Sequence, residues 1–177
     1  MSDATGPTIR VLIADDHRMV RESLVAVLQS AGCCRIIGQA ADGQQAIAMC
    51  LELAPDVAVI DLSMPGLNGL EVVRRLREQC PGTRTLVLTM HEDEEYLLQS
   101  VRAGASGFLL KDSPASELIE AIRSIARGRG PFSADASPNG KERPRALLVL
   151  AAGAARGPGD QASGLVGAAD GGNGRHV

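Results

Sequence analysis

The strongest constraint on the fold of this chain is a regular alternation between short aliphatic runs and longer stretches with helical spacing. The apolar runs lie at residues 9–14, 35–40, 56–60, 85–89 and 107–110. Short runs that are apolar at almost every position are typical of parallel strands buried on both faces. Strands that alternate with helices form successive βαβ units. The chain is therefore predicted to be an α/β protein with a doubly wound, five-stranded parallel sheet.

The stretches after the strands carry apolar stripes with the period of a helix, the clearest being Leu118, Ile119, Ile122, Ile125 and Ala126. Asp42 stands three residues before a glutamine and Asn68 three before a glutamate, as in capping boxes. Ser113 followed by Pro114 predicts an N-cap with proline at the first helical position. The acidic segment 91–95 would place negative charge at a helix start, where the helix dipole favours it.

Composition narrows the class of protein further. Only 2% of the residues are aromatic, so the core must be aliphatic, and a net charge of −3 does not suggest nucleic-acid binding. The four cysteines show no CxxC spacing and are predicted to be free thiols of a reducing compartment. No signal peptide and no apolar stretch of about 18 residues is recognisable. We expect a cytoplasmic protein without a membrane contact.

Five polar residues stand at or just after the ends of the predicted strands. Asp15 and Asp16 follow the first strand, Asp61 follows the third, Thr89 ends the fourth and Lys111 follows the fifth. In a doubly wound sheet the chemistry lies outside the carboxyl ends of the strands. Any one of these residues alone is more simply explained as a cap or a solvated side chain. The coincidence of all five at one sheet edge predicts a site.

The residue types indicate phosphoryl transfer with Mg²⁺. Three clustered carboxylates repel one another, and Mg²⁺ prefers oxygen ligands that include one or two carboxylates. Asp61 is the predicted nucleophile, which would form an acyl phosphate. Lys111 would supply a positive charge and Thr89 a hydroxyl group for the phosphoryl oxygens.

Four segments within residues 9–128 carry a family resemblance: Val11-Leu12-Ile13-Ala14-Asp15-Asp16-His17, the stretch from Asp61 to Gly69, Leu88-Thr89-Met90, and the stretch from Gly104 to Lys111. With these segments the sequence resembles the receiver domain of bacterial two-component response regulators of the NarL/FixJ (LuxR-type) family. This resemblance implies a flavodoxin-like receiver fold, and we place this domain at residues 8–128.

The resemblance also implies roles for individual residues. Asp61 would accept phosphate from the phosphohistidine of a sensor histidine kinase. Asp16 would bind Mg²⁺ directly and Asp15 through water, with Asp61 and the backbone carbonyl of Ser63 as further ligands. The protein would assist its own phosphorylation and dephosphorylation without being a turnover enzyme.

Two further groups of residues take roles from the resemblance. Thr89 and Phe108 would form a switch pair, in which the hydroxyl turns toward the phosphate and the ring moves into the vacated space. Phe108 can also be explained by core packing alone. Arg18, Met19 and Val20 resemble the face on which kinases dock, although ordinary half-buried helix positions would have the same pattern. Phosphorylation-promoted homodimerisation is expected as well.

Beyond residue 128 the sequence changes character. Residues 129–145 are predicted to be a linker, and residues 146–177 form a Gly/Ala-rich tail without a second amphipathic helix or a basic recognition face. Such a tail is predicted to be disordered, and no DNA binding is expected from it. One hypothesis is that it is a frameshifted remnant of a helix-turn-helix domain. Absence of helix-turn-helix coding capacity in the other downstream reading frames would contradict that hypothesis.

Two alternative functions remain open at this point. The chain could be an intact DNA-binding transcriptional regulator whose C-terminal output domain lacks a recognisable pattern. It could also be an aspartate-nucleophile phosphatase, but such enzymes use a second aspartate two residues after the nucleophile, and Ser63 stands there. A nucleotide-binding Rossmann module is disfavoured because no glycine-rich fingerprint follows the first strand.

Overall fold

The computed structural model describes residues 7–128. Strands and helices alternate five times, as the apolar pattern predicts. The strands are β1 (Ile9–Ala14), β2 (Cys34–Ala40), β3 (Val57–Asp61), β4 (Arg84–Thr89) and β5 (Gly107–Leu110). The helices are α1 (Arg18–Ser30), α2 (Gly43–Leu53), α3 (Gly69–Gln79), α4 (Glu94–Ala103) and α5 (Ala115–Ala126).

All neighbouring strands are parallel, and their order in the sheet is β2-β1-β3-β4-β5. The chain therefore moves from β1 outward to β2, returns to place β3 on the other side of β1, and continues outward to β5. This reversal makes β1 and β3 the strands at the topological switch point, where ligands bind in open α/β sheets. The predicted doubly wound, flavodoxin-like fold is confirmed.

The core consists of two aliphatic layers, one on each face of the sheet. Val11 and Ile13 of β1 pack with residues of α1 and α5, whereas Leu12 and Ala14 pack with residues of α2 and α3. Successive strand side chains point to opposite faces, so a strand that is covered on both sides must be apolar at consecutive positions. This burial explains why the strands appear in the sequence as continuous apolar runs.

The predicted helix starts are confirmed at three places and wrong at one. Asp42 and Asn68 are N-caps whose side chains accept hydrogen bonds from backbone N–H groups three residues later. Helix α4 begins with the predicted acidic turn. For α5, however, the N-cap residue is Pro114 rather than Ser113, and the helix begins one residue later than expected. An N-cap has extended backbone angles, and Pro114 adopts them with ψ 145°.

The four cysteines are free: Cys33 is partly buried, and Cys34, Cys50 and Cys80 are buried. Within residues 7–128, no helix has the length and apolar character needed to cross a membrane. The predicted linker 129–145 and tail 146–177 lie outside the described residues, as do the hypotheses attached to them.

Candidate functional site

The switch point brings the predicted carboxylates together. Asp15 and Asp16 follow β1, and Asp61 ends the adjacent β3. Ligand atoms of these three residues and of His17 all lie within 4.8 Å of one another. Asp15 and Asp61 are each only 1% exposed. The site is therefore a compact acidic cluster whose two central carboxylates are almost completely removed from water.

Lys111 supplies the positive charge in this cluster. Its ammonium group crosses from the end of β5, beyond β4, to lie 2.7 Å from Asp15 Oδ2 and 3.1 Å from Asp61 Oδ1. Burial acts to lower the pKa of Lys111, but the hydrogen bonds and the attraction of both carboxylates outweigh burial, so this pKa is raised. The lysine is therefore held as a cation between the two aspartates.

Asp61 has one satisfied and one unsatisfied oxygen. Its Oδ1 accepts a hydrogen bond from the Ser63 backbone N–H at 3.2 Å, in addition to the Lys111 contact. Its Oδ2 is buried and has no hydrogen-bond partner among residues 7–128. Burial raises the pKa of Asp61, and the nearby Asp15 charge adds to this effect. The Ser63 N–H and Lys111 act in the opposite direction but do not cancel the increase.

The remaining donors at the cluster come from α1. The His17 backbone N–H donates to Asp15 Oδ1 at 2.8 Å, and Arg21 donates to the Asp15 carbonyl oxygen at 2.6 Å. Sequence reasoning assigned no role to either residue. His17 adjoins the aspartate pair and could have been suggested by position, whereas Arg21 has no distinguishing signal in the sequence. Both donors hold Asp15 in place at the helix start.

Asp16 provides a second unsatisfied oxygen. Its Oδ1 is 3.0 Å from the Nδ1 atom of His17, but the angles there do not form a hydrogen bond, and this buried oxygen has no partner among the described residues. Two orphaned carboxylate oxygens, from Asp16 and Asp61, therefore belong to one cluster. Buried carboxylate oxygens without donors are costly unless a cation binds them. Their all-oxygen chemistry fits a hard divalent ion such as Mg²⁺ better than a soft metal.

The loop after β3 is fixed by Gly69. The Gly69 N–H donates to the Leu62 carbonyl at 3.2 Å, which folds the loop back onto the strand end. A Cβ atom at this position would overlap the Asp61 backbone carbonyl and lie 2.7 Å from the Leu62 Cα atom. The Asn68 side chain caps the helix that begins here. The close approach that only glycine permits thus sets the position of Asp61.

The predicted switch residues lie on the neighbouring strands β4 and β5. Thr89 is fully buried, and its hydroxyl oxygen accepts the His91 backbone N–H at 3.1 Å. Phe108 pairs with Val87 across β4 and β5 and is only 6% exposed, within an apolar cluster that includes Leu97. The hydroxyl is thus engaged by the loop before α4, and the aromatic ring is already packed inside the α3–α4 side of the core.

The predicted docking residues form the start of α1. Met19 is 81% exposed, and Arg18 makes a 2.7 Å ion pair with Glu22 on the helix surface. Met19 and Val20 line one end of a cavity of about 430 Å³ between α1 and α5, whose other lining residues include Leu24, Leu88, Leu109, Lys111 and Leu118. The structure therefore places an exposed apolar face directly beside the acidic cluster.

This fold and acidic site define the class of protein. The chain matches the response regulator receiver domain family over residues 11–123 and belongs to that family. Proteins of this kind are the receivers of two-component systems, and receiver domains are phosphorylated by sensor histidine kinases. The predicted family resemblance is confirmed.

Individual relatives narrow the class further. The chain is 40% identical over 124 residues to the "Uncharacterized transcriptional regulatory protein YxjL" of Bacillus subtilis, covering 70% of this chain and 57% of that protein. It is 41% identical over 121 residues to the "Oxygen regulatory protein NreC" of Staphylococcus epidermidis, covering 68% and 56% of the two chains. The chain thus spans little more than half the length of these curated relatives.

Solved structures agree with the sequence matches. The receiver domain of the putative response regulator NarL from Mycobacterium tuberculosis superposes with a TM-score of 0.68 at 36% identity, covering 70% of this chain and 100% of that one. A LuxR-family response regulator from Aurantimonas gives a TM-score of 0.70 at 31% identity, covering 84% and 99%. Both are the receiver type predicted from the sequence.

Proposed function

We propose that Asp61 is the phosphoacceptor of this receiver domain. The observation that carries the proposal is the state of its two oxygens: Oδ1 is held by Lys111 and the Ser63 N–H, while Oδ2 has no hydrogen-bond partner among the described residues. An ionised carboxylate with one fixed and one uncommitted oxygen is oriented for attack on phosphorus. The product would be an acyl phosphate on Asp61.

We infer that Asp15, Asp16 and Asp61 hold Mg²⁺ together with the backbone carbonyl of Ser63. The two orphaned oxygens of Asp16 and Asp61 support this assignment, because a hard cation would satisfy both. When bound, the ion would neutralise charge on the transferring phosphoryl group. His17 lies in the same cluster but offers a nitrogen, and Mg²⁺ prefers oxygen ligands.

Lys111 and Thr89 would stabilise the phosphoryl group once it is on Asp61. The ammonium group of Lys111 already contacts Asp61 Oδ1, so a short movement would bring it to a phosphoryl oxygen. The Thr89 hydroxyl would exchange its present bond with the His91 N–H for a bond to the phosphate, which would release the loop before α4. Charge-assisted hydrogen bonds of this kind supply the energy for the change.

Movement of Thr89 would be transmitted through Phe108 to the surface formed by α4, β5 and α5. Thr89 pairs with Leu110 and Phe108 with Val87, so the two buried residues are diagonal neighbours on adjacent strands. A shift of the two states from about 1:99 to 99:1 requires roughly 5.5 kcal/mol of differential stabilisation. Several new bonds to a dianionic phosphoryl group can reach that size. We infer that this surface then promotes homodimer formation.

The phosphodonor would be a sensor histidine kinase that docks on Arg18, Met19 and Val20. The exposed Met19 side chain and the adjacent cavity between α1 and α5 offer apolar contact area next to the acidic cluster. A docked helix there would bring its phosphohistidine within reach of Asp61. Several relatives are named as transcriptional regulatory proteins, which supports control of transcription as the output. DNA binding by this chain is not expected from residues 146–177.

Response regulators are generally signal transducers rather than enzymes, and we propose the same for this chain. The phosphatase alternative requires a general acid two residues after Asp61. Ser63 occupies this position and contributes only its backbone N–H to Asp61. Phosphorylation would therefore be stoichiometric, with slow self-dephosphorylation in place of turnover of phosphomonoesters.

Incubation of the purified chain with acetyl phosphate and Mg²⁺ tests the proposal. The wild type is expected to gain one base-labile phosphoryl group, detected by intact mass, and EDTA should suppress the reaction. Asp61→Asn should gain none. The matched control is Asp112→Asn, which removes an exposed carboxylate beside Lys111 and should leave phosphorylation unchanged. A base-labile adduct that persists in Asp61→Asn would refute the assignment.

A further inference from the structure

Two adjacent cysteines lie at the turn between α1 and β2. Strand β2 is the edge strand next to β1, and β3 lies on the other side of β1. The Sγ atoms of Cys33 and Cys34 are 3.5 Å apart. Adjacent residues of an extended strand normally point to opposite faces. Here the chain turns at Gly32, which has a φ of +67°, and both sulfurs pack against the apolar layer beneath α1 and α5. The two thiols therefore form a preassembled dithiol.

The two cysteines differ in their surroundings. Cys33 is partly exposed, and the Arg123 Nε of α5 donates a hydrogen bond to its Sγ at 3.2 Å. A positive charge beside a partly exposed sulfur is the environment in which cysteines react as nucleophiles. Cys34 is only 8% exposed, and burial together with the neighbouring Cys33 raises its pKa to about 12. Cys33 is thus suited to react first and Cys34 to remain a thiol.

An open cleft adjoins this pair at Arg123. The cleft has a volume of about 620 Å³ and is lined by Arg123 together with Ala31, Ser116, Ile119, Glu120 and Arg127. Arg123 is shared by the cleft and the dithiol, so a small polar reagent that enters the cleft meets the guanidinium beside Cys33. Cys50 and Cys80 are 1% and 9% exposed and lie in the apolar layer beneath α2 and α3.

We propose that Cys33 and Cys34 form a modification site that is reversibly oxidised by hydroperoxides. In the first step the Cys33 thiolate attacks the peroxide oxygen, the O–O bond breaks, and the products are a Cys33 sulfenic acid and hydroxide or alkoxide. In the second step Cys34 sulfur attacks Cys33 sulfur, and the hydroxyl group leaves with the Cys34 proton as water. The two sulfurs are oxidised and the peroxide is reduced.

The geometry also predicts that this disulfide is labile. Adjacent Cα atoms are about 3.8 Å apart across a trans peptide bond, below the usual span of about 4.4–6.8 Å for a disulfide. A strained disulfide has a high reduction potential and is readily reduced by thiols. The Cys33 carbonyl also accepts the Ile9 N–H at 2.9 Å, at the start of the β1–β2 ladder. Oxidation would strain this hydrogen bond and break the contact between Arg123 of α5 and Cys33.

Peroxide treatment of the full chain tests the inference. After one equivalent of hydrogen peroxide, alkylation and digestion, the peptide that contains Cys33 and Cys34 should have lost two hydrogens, whereas Cys50 and Cys80 should be alkylated. Dithiothreitol should restore both thiols. In Cys34→Ser a 1,3-diketone reagent should trap a sulfenic acid on Cys33. In Cys33→Ser no adduct should form on Cys34.

A charge variant provides a measurement that leaves both cysteines in place. Arg123→Gln should slow the peroxide reaction by up to about fivefold, the factor expected for one solvent-exposed charge contact. Arg127→Gln is the matched control, because this residue lies one turn further along and no hydrogen bond from it to either sulfur is found. Equal rates at all four thiols, a wild-type rate in Arg123→Gln, or a disulfide formed only between chains would overturn the proposal.

Discussion

The free energy of unfolding of the unphosphorylated domain should increase when Asp61 becomes neutral. The Asp61 carboxylate is buried, its Oδ2 has no donor among residues 7–128, and its pKa is raised by burial and by Asp15. The charge on Asp61 therefore lowers the free energy of unfolding. Asp61→Asn removes the charge but keeps the shape of the side chain, and we expect the variant to be more stable than the wild type in EDTA.

The size of the effect follows from two opposing contributions. Relief of a buried, unsatisfied acceptor is worth about 1–3 kcal/mol, and more for a charged group. The lost contact between Asp61 Oδ1 and Lys111 at 3.1 Å reduces this gain. Lys111 keeps its shorter 2.7 Å contact with Asp15, so the reduction is about 1 kcal/mol. A net gain of up to about 2 kcal/mol is expected, at roughly 4 °C in melting temperature per kcal/mol.

The gain should depend on pH with a defined sign. Because the pKa of Asp61 is raised in the folded state, the folded protein binds this proton more tightly than the unfolded chain does. Wild-type stability therefore decreases as pH increases from the unfolded to the folded pKa of Asp61. Asp61→Asn lacks this loss, so the difference in stability should grow across that window and stay constant above it. Urea unfolding at a series of pH values measures this difference.

Mg²⁺ and a control variant complete the assay. Saturating Mg²⁺ should stabilise the wild type, by about 2.7 kcal/mol at a concentration of 100 Kd, and so reverse the order of the two proteins. Asp112→Asn removes an exposed carboxylate and should change stability by less than about 0.5 kcal/mol. The reasoning is refuted if Asp61→Asn is less stable than the wild type in EDTA near neutral pH, or if the gain does not vary with pH.

Three other changes have expected outcomes that urea or thermal unfolding can measure. Lys111→Met should destabilise the domain by about 3 kcal/mol in EDTA, because the buried charge of Asp15 loses its cation. Mg²⁺ should restore part of this stability, and an equal loss with and without Mg²⁺ would contradict the prediction. Gly69→Ala should cost about 1–3 kcal/mol through overlap with the β3 carbonyl, whereas Gly82→Ala, with open space around it, should be nearly neutral. Asn68→Ala should cost about 1 kcal/mol by removing a cap, and an unchanged melting temperature would argue against capping there.

The order of strands and helices could be predicted because burial on both faces forces consecutive apolar residues. The same topology predicted the site, because parallel strands bring their carboxyl ends to one edge of the sheet. Asp15, Asp61 and Lys111 were therefore expected to lie close together whatever their separation along the chain. Boundaries were less accurate, and β2, β3 and β4 each begin one residue away from the predicted position. Fraying and local hydrogen bonding determine such ends, and apolar periodicity does not encode them.

Other features of the site depend on three-dimensional neighbours. The N-cap of α5 is Pro114 because the backbone is extended at that residue. Serine is a common N-cap residue, so the residue types alone favoured Ser113. A side-chain rotamer determines the contact of Arg21 with the Asp15 carbonyl. The conformation of a loop determines the hydrogen bond from the His91 N–H to Thr89. Nothing in the residue pattern distinguishes these partners from their neighbours before the sheet and helices are in place.

The reach of Lys111 across the sheet has a consequence for biosynthesis. Lys111 and Asp15 are separated by 96 positions in the chain, so a ribosome that adds about 5–20 residues per second exposes the aspartate roughly 5–20 seconds before its lysine. During this interval the emerging chain carries its carboxylates without their counter-charge. The acidic cluster therefore cannot be completed until β5 and Lys111 have been synthesised, and a nascent chain arrested before residue 111 would lack this pairing.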